Sequence, residues 1–228
     1  MTGWAEYGLA LLLFLAAHAL PPRTALRARL TGTLGERGYL ALYSLVSLLL
    51  LYWLLLAAGR APYVPLWAPA GWQAWVPNVA MPLALLLAVC GTAVANPFSL
   101  GGSRRHEFDP ARPGITAVSR HPLLLAVALW AIAHMVPNGD LAHALLFGGL
   151  AVLAVLGMIL LDRRHRRRCG DRRWQALTRK TAFLPGGAPL PAPGDAFPAG
   201  RVALALLIWV ALLLVHPALF GVSPLPPL

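Results

Sequence analysis

The chain has 228 residues, of which 58% are hydrophobic and only 12% are charged. A soluble domain carries about a quarter of its residues as charges, so this composition excludes an ordinary soluble protein and indicates one that spans a membrane. The net charge is +11, but the basic residues lie between apolar segments. There they set topology and contact anionic headgroups, so membrane lipids rather than nucleic acid are the expected partners.

Six segments are apolar enough, and close enough to twenty residues long, to cross a bilayer as helices. They cover residues 4–20, 38–58, 78–97, 115–136, 141–161 and 201–220. The predicted fold class is therefore all-α: a polytopic membrane bundle of about six transmembrane helices in a single domain, 1–228. The first segment is expected to be retained as a helix, because it has neither a basic start nor a small-residue cleavage site.

The segments between these helices also carry structural information. Only residues 137–140 separate the fourth segment from the fifth, which predicts an antiparallel helical hairpin. Residues 171–184 have the pattern of a short surface helix, and residues 185–200 are rich in proline and glycine and are predicted to be irregular.

The basic residues predict the orientation. Eighteen of them follow the first, third and fifth segments or open the sixth, whereas Arg60 alone lies on the opposite side. Lysine and arginine accumulate on cytoplasmic loops, so both termini are expected on the outer side of the membrane after six crossings.

Among the histidines in the apolar segments, His18, His121 and His134 are singled out as candidates. An imidazole in hydrocarbon is costly and tends to face a bundle interior or a cofactor. Histidines from different helices can hold a haem, so these three are the candidate metal and cofactor ligands. The alternative is that each ring only bonds a backbone carbonyl or a headgroup.

One haem cannot take both His121 and His134 as axial ligands, because thirteen residues of helix separate them by roughly 20 Å. Depth along the helices instead pairs His18 with His121 near the cytoplasmic face, and places His216 with His134 near the outer face. The candidate arginine partners for haem propionates at the cytoplasmic face are Arg23, Arg37 and Arg120.

The tetrapeptide at residues 119–122 predicts a helix start. Pro122 suits the first turn, where its missing N–H is harmless. Arg120 and His121 then lie at a helix N-terminus, where free N–H groups can hold an anionic group.

At these residues the chain resembles the NnrU family of bacterial inner-membrane proteins. The matching blocks are LFLAAHALPPR (13–23), LGERGYLALYSLVSL (34–48), NPFSLGG (96–102), GITAVSRHP (114–122), LWAIAHMVPNGD (129–140), LFGGLAVLAVLGMILLDRRHRRRCG (147–170) and HPALFGVSPLP (216–226). The resemblance implies an inner-membrane protein with periplasmic termini. It also implies a link to denitrification, that is, to nitrite and nitric oxide reduction, with denitrification redox proteins as partners. It does not supply a reaction.

The RHP block and the second histidine thirteen residues later also resemble the plant 15-cis-zeta-carotene isomerases, which are membrane haem b enzymes. This resemblance implies haem b here, with His18 and His134 as axial ligands. The depth estimate prefers His18 with His121, so all three stay candidates. A cysteine of the isomerases is replaced by Ala131, so haem binding is implied more strongly than isomerisation.

A second resemblance is to isoprenylcysteine and phospholipid methyltransferases, through the RHP block and a later FLP at residues 183–185. It implies S-adenosylmethionine binding at the cytoplasmic face. The chain departs from that pattern at Leu161 and Asp162, where a pair of glutamates is expected, and at Thr116 and Leu124, where tyrosines are expected. The predicted function is redox or nitric oxide sensing, or electron transfer, at a bis-histidine haem. The alternatives are a methyltransferase-like enzyme, an isomerase-like enzyme and a non-catalytic assembly factor.

Overall fold

The structure is a computed structural model that describes residues 3–19, 25–100 and 107–225. Its helices are α1 (Gly3–Ala19), α2 (Ala25–Arg60), α3 (Trp75–Gly91), α4 (Pro122–Met135), α5 (Leu141–Cys169), α6 (Asp171–Thr178), α7 (Pro193–Ala196) and α8 (Ala199–Phe220). Short 3-10 turns cover Gly71–Ala74 and Gly114–Ala117. Within the described residues the only β-pairing is an isolated bridge between Pro65 and Asp140. The predicted all-α class is confirmed.

Each predicted apolar segment corresponds to a helix, but the helices differ in length. Four are long and apolar enough to cross a membrane: α2, α3 with the turn before it, α5 and α8. The other two are shorter, with seventeen residues in α1 and fourteen in α4. Fourteen residues extend about 21 Å, which is less than the roughly 30 Å hydrocarbon core of a bilayer.

Two helices are longer than predicted, because residues that favour helix, mainly leucine, alanine and arginine, predominate where these helices extend beyond the apolar segments. Residues 25–37 are helical although they were predicted to be a loop, and Gly35 interrupts the helical geometry with φ 70°. Arginine also favours helix, so α5 continues through the arginine run to Cys169. The chain then turns at Gly170, whose φ of 79° favours glycine.

Three other helices are shorter than predicted: α3, α4 and α6, the last of which ends at Thr178 rather than at residue 184. Helix α3 ends at Gly91 rather than at residue 97. Helix α4 begins at Pro122 rather than at residue 115, because proline disfavours the helical conformation in the residue before it. His121 accordingly has φ −122° and ψ 56°.

The chain divides into two compact units. The first comprises Met1–Ala68 with Gly139–Leu146, and the second comprises Pro69–Asn138 with Phe147–Leu228. In the first unit α1 packs against α2, and the Glu6 carboxylate accepts hydrogen bonds from Arg60 and from Trp53, the latter at 3.2 Å. In the same unit the Tyr7 hydroxyl donates to the Ala142 carbonyl at 3.0 Å.

In the second unit α3 packs against α4 and α8. The core there consists of small and aliphatic side chains, and close approach is required at one point. A Cβ added to Gly91, the last residue of α3, would overlap the ring of Pro122. This glycine therefore lets the end of α3 reach the start of α4.

The part of α5 in the second unit runs antiparallel to α4. His134 near the end of α4 lies beside Phe147, with ring centroids 5.7 Å apart. Farther along α5, a Cβ on Gly157 would lie 3.4 Å from Cδ1 of Leu124. Later residues of α5 thus lie beside earlier residues of α4, so the two helices are antiparallel, which confirms the predicted hairpin.

Candidate functional site

The hairpin brings together Arg120, His121 and Asp162, which we call the Arg–His–Asp cluster. Asp162 lies on α5, and the other two precede α4. The Asp162 carboxylate accepts from Arg120 Nη2 at 2.7 Å and from Arg120 Nε at 3.2 Å through Oδ2. Its other oxygen, Oδ1, lies 2.8 Å from His121 Nε2. Both carboxylate oxygens are thereby engaged within the protein.

Neighbouring segments hold the backbone of the cluster in place. The Arg120 N–H donates to the Ala182 carbonyl at 2.7 Å, and the Arg120 carbonyl accepts from Asn96 at 3.0 Å. The Ser119 hydroxyl donates to the Phe183 carbonyl at 3.0 Å and accepts from the His121 N–H at 3.1 Å. These bonds satisfy polar groups just before α4, where intrahelical partners are lacking.

The cluster is buried. The side chains of Arg120 and Asp162 are 13% and 15% exposed, and His121 is 0% exposed. A buried guanidinium and carboxylate offset their desolvation only when they are paired and hydrogen-bonded, as they are here. The cluster therefore ties the start of α4 to α5.

His121 uses its Nε2 edge for this contact. A hydrogen bond to a carboxylate assigns the N–H to Nε2, and Nδ1 then carries the lone pair. Nδ1 is buried and makes no hydrogen bond with the described residues. The nitrogen that faces Asp162 is therefore not available to a metal, whereas Nδ1 is an enclosed acceptor.

His134 has the opposite ring state, meaning that its N–H is on the other ring nitrogen. Its Nδ1 lies 2.9 Å from the Trp130 carbonyl, one turn earlier in α4, so the N–H is assigned to Nδ1 and the lone pair to Nε2. Nε2 makes no hydrogen bond within the described part of the chain. The ring lies between Trp130 and Phe147, with centroid distances of 5.6 and 5.7 Å.

His18, in the first unit, has the same ring state as His134. Its Nδ1 lies 2.8 Å from the Phe14 carbonyl, one turn earlier in α1. Its aromatic neighbours are Phe14 and Tyr43, at centroid distances of 4.3 and 5.8 Å. Nε2 again has no hydrogen bond to any residue that the structure describes.

The family model described as NnrU protein matches residues 7–224 of the chain. The chain belongs to the NnrU family. No curated protein and no solved structure matches it significantly. The matched region contains the Arg–His–Asp cluster, His18 and His134, so all of these candidate residues lie within the NnrU region.

The arginines predicted to bind propionates are in different situations in this NnrU protein. Arg23 lies outside the described residues, and Arg37 is exposed on α2. Arg120 directs Nε and Nη2 to Asp162, while its Nη1 lies 3.3 Å from the Thr181 carbonyl. A propionate would have to displace Asp162 to bind Arg120.

The pairing of Asp162 with Arg120 and His121 could not be identified from residue types alone. The sequence distinguishes Asp162 only because methyltransferases are expected to have glutamates at the corresponding position. The signal that could have found the pair is the hairpin register, since the four-residue connection places the beginning of α4 opposite the end of the apolar part of α5. Elsewhere in the described chain, no three His, Cys, Asp or Glu side chains come together to form a metal site.

Proposed function

We propose that this NnrU protein is an integral protein of the bacterial inner membrane that binds haem b, for which His18 and His134 are each candidate ligands. Its role is then to support nitrite or nitric oxide reduction, by redox or nitric oxide sensing or by electron transfer. The observation that carries the proposal is the shared ring state of these two histidines. The denitrification role rests on the family resemblance.

The ring state matters because an axial ligand needs a free lone pair on one nitrogen and a fixed donor on the other. In metal-bound histidines the second ring N–H is usually held by a carbonyl or carboxylate, which sets the tautomer and the ring orientation. The Phe14 and Trp130 carbonyls do this for His18 and His134. His121 also has one nitrogen held, Nε2 by the Asp162 carboxylate. Its free Nδ1 is enclosed and the side chain is 0% exposed, whereas His18 and His134 are partly exposed, and this accessibility favours the latter two.

The surrounding side chains fit a haem environment. Aromatic rings adjoin both histidines, and apolar, dry surroundings are one of the means by which proteins set a haem potential. A bound haem would supply reversible one-electron chemistry, and nitric oxide would have to displace one histidine to bind it. The chain's own contribution is to hold two neutral imidazoles by their Nδ1 atoms, with Arg37 and Arg23 as candidate propionate partners.

Spectroscopy of the purified protein tests the haem proposal. After haem-replete expression, reduced-minus-oxidised spectra are recorded for the wild type, for His18→Ala and His134→Ala, and for His121→Ala. We expect sharp reduced bands that fail in the first two variants and persist in His121→Ala. His165→Ala is the control, since that histidine lies among the arginines beyond the apolar part of α5.

Added imidazole separates a ligand from a structural residue, because it can replace a missing axial ligand but not a packing contact. Recovery of the bands in His134→Ala on addition of imidazole supports ligation. A colourless wild type contradicts the proposal, and loss of the bands only in His121→Ala contradicts the ligand pair. Binding of S-adenosylmethionine in calorimetry, abolished by His121→Ala, would favour the methyltransferase alternative instead.

The physiological role requires its own assay. In a strain lacking the protein, nitrite consumption is measured after complementation with the wild type or with His134→Ala. We expect the wild type to restore consumption and the variant not to do so. Equal restoration by both would separate the physiological role from haem ligation.

The proposed topology has both termini periplasmic and the arginine-rich end of α5 cytoplasmic. Its basis is the distribution of basic residues. Cys169 lies in that end of α5 and is partly exposed, whereas Cys90 is buried. A membrane-impermeant maleimide is therefore expected to label Cys169 only after the inner membrane is permeabilised. Labelling of intact spheroplasts would contradict this orientation.

A further inference from the structure

A cavity of about 250 Å³ lies where α5 ends and α6 begins, within the second unit. It is lined by Pro97, Phe98, His165, Arg168, Cys169, Arg173, Trp174 and Leu177. Neither the histidine ligands nor the Arg–His–Asp cluster lines it. It is therefore distinct from the site proposed above.

One wall of the cavity is apolar and well packed. Phe98 is 1% exposed and meets Trp174 edge to face at a centroid distance of 5.7 Å. Phe108 packs on the other side of Phe98 at 5.3 Å. Trp174 also lies 5.6 Å from Cζ of Arg120. This wall is held in place from several directions and offers a preformed surface to an apolar group.

The opposite edge is positively charged. Arg168 and Arg173 both line the cavity, and neither forms an ion pair with a carboxylate in the described part of the chain. The two nearby acids are already engaged: Asp162 by Arg120 and His121, and Asp171 by Arg166 at 2.6 Å. That contact also lowers the pKa of Asp171. The cavity therefore has an excess of positive charge.

The position along α5 indicates where the ligand comes from. Asp162 is the first charged residue after the apolar part of the helix. His165 lies about 6 Å beyond Leu161 along the axis, and the headgroup layer on each side of the hydrocarbon is roughly 5–7 Å thick. The cavity thus begins at the depth of lipid phosphates.

We infer that this cavity binds the phosphate of an anionic phospholipid. Arg168 and Arg173 would donate charge-assisted hydrogen bonds to the phosphate oxygens, a role for which guanidinium groups are well suited. The glycerol and the first methylenes would lie against Trp174 and Leu177. The inference does not depend on haem binding.

Native mass spectrometry of the detergent-purified protein tests it. Dioleoylphosphatidylglycerol is titrated into three proteins: the wild type, Arg168→Gln with Arg173→Gln, and the matched control Arg164→Gln with Arg172→Gln. Both double variants remove two exposed arginines from the same region, but only the first pair lines the cavity. We expect about tenfold weaker lipid binding for the cavity variant, the scale of one strong charge-assisted contact, and little change for the control.

Two further measurements identify the ligand. Dioleoylphosphatidylcholine is expected to bind more weakly, because its choline cation faces the arginines. Millimolar inorganic phosphate is expected to leave the bound lipid in place. Equal weakening in both double variants would show diffuse attraction to the arginine run and overturn the inference. Equal binding of phosphatidylcholine, or displacement by inorganic phosphate, would overturn the anionic lipid as the ligand.

Discussion

Replacing Asp162 by asparagine tests the Arg–His–Asp cluster most directly, because the side chain keeps its shape and loses its charge. The guanidinium of Arg120 would then remain 13% exposed without its counter-ion. The carboxylate contacts at 2.7 and 2.8 Å would also lose their charge-assisted character. The variant therefore removes the negative charge of the cluster and keeps the number of side-chain heavy atoms.

Breaking a buried ion pair from one side costs 3–5 kcal/mol. Because both side chains retain some contact with solvent, the lower end applies, and we expect a loss of about 3 kcal/mol. This corresponds to roughly a 150-fold change in the unfolding equilibrium. For a chain of this size the melting temperature is expected to fall by about 6–12 °C.

The assay is thermal unfolding in a mild detergent, followed by circular dichroism. Asp171→Asn is the matched control, because that carboxylate forms a solvent-exposed pair with Arg166 and exposed pairs contribute little. Arg120→Leu combined with Asp162→Asn removes both charges and is expected to recover part of the loss, since the cost of the single variant is the unpaired charge. Equal stability of Asp162→Asn and Asp171→Asn would show that the cluster does not stabilise the hairpin.

Two further substitutions test packing in the separate units. Gly91→Ala is expected to destabilise the protein by about 1–3 kcal/mol, because the new Cβ would overlap the proline that begins α4. The control is Gly149→Ala, which adds a Cβ in open space on α5 and is expected to be neutral or stabilising. Tyr7→Phe is expected to cost about 1 kcal/mol, since a buried hydroxyl loses its bond to the Ala142 carbonyl, whereas Tyr63→Phe at an exposed position is expected to cost nothing measurable. Both comparisons use thermal unfolding, and a reversed order within either pair would contradict the packing described.

Hydrophobicity alone located the helices, because long apolar stretches in this chain have few structural alternatives in a membrane. It did not locate their ends. The beginning of α2 and the arginine-rich end of α5 are helical through local propensity, which a search for apolar segments ignores. The late start of α4 follows from the conformational restriction before Pro122.

The candidate site was only partly predictable. The sequence singled out His18, His121 and His134 by their apolar surroundings, but it could not say which ring nitrogen each would use. For His121 that choice depends on Asp162, forty-one residues away in sequence, and therefore on the register of a folded hairpin. For the other two histidines the carbonyl acceptor lies four residues earlier in the same helix, a contact that short-range geometry allows but does not require.

Helix α5 has twenty-nine residues and extends about 43 Å, whereas the hydrocarbon core that it would cross is roughly 30 Å thick. If α5 crosses that layer, its last turns would extend beyond it as a rigid helix. Successive side chains of a helix point about 100° apart, so its five arginines fan out over roughly 200° of its circumference. All five cannot converge on a single anion, and their charge is spread over one broad side of the helix.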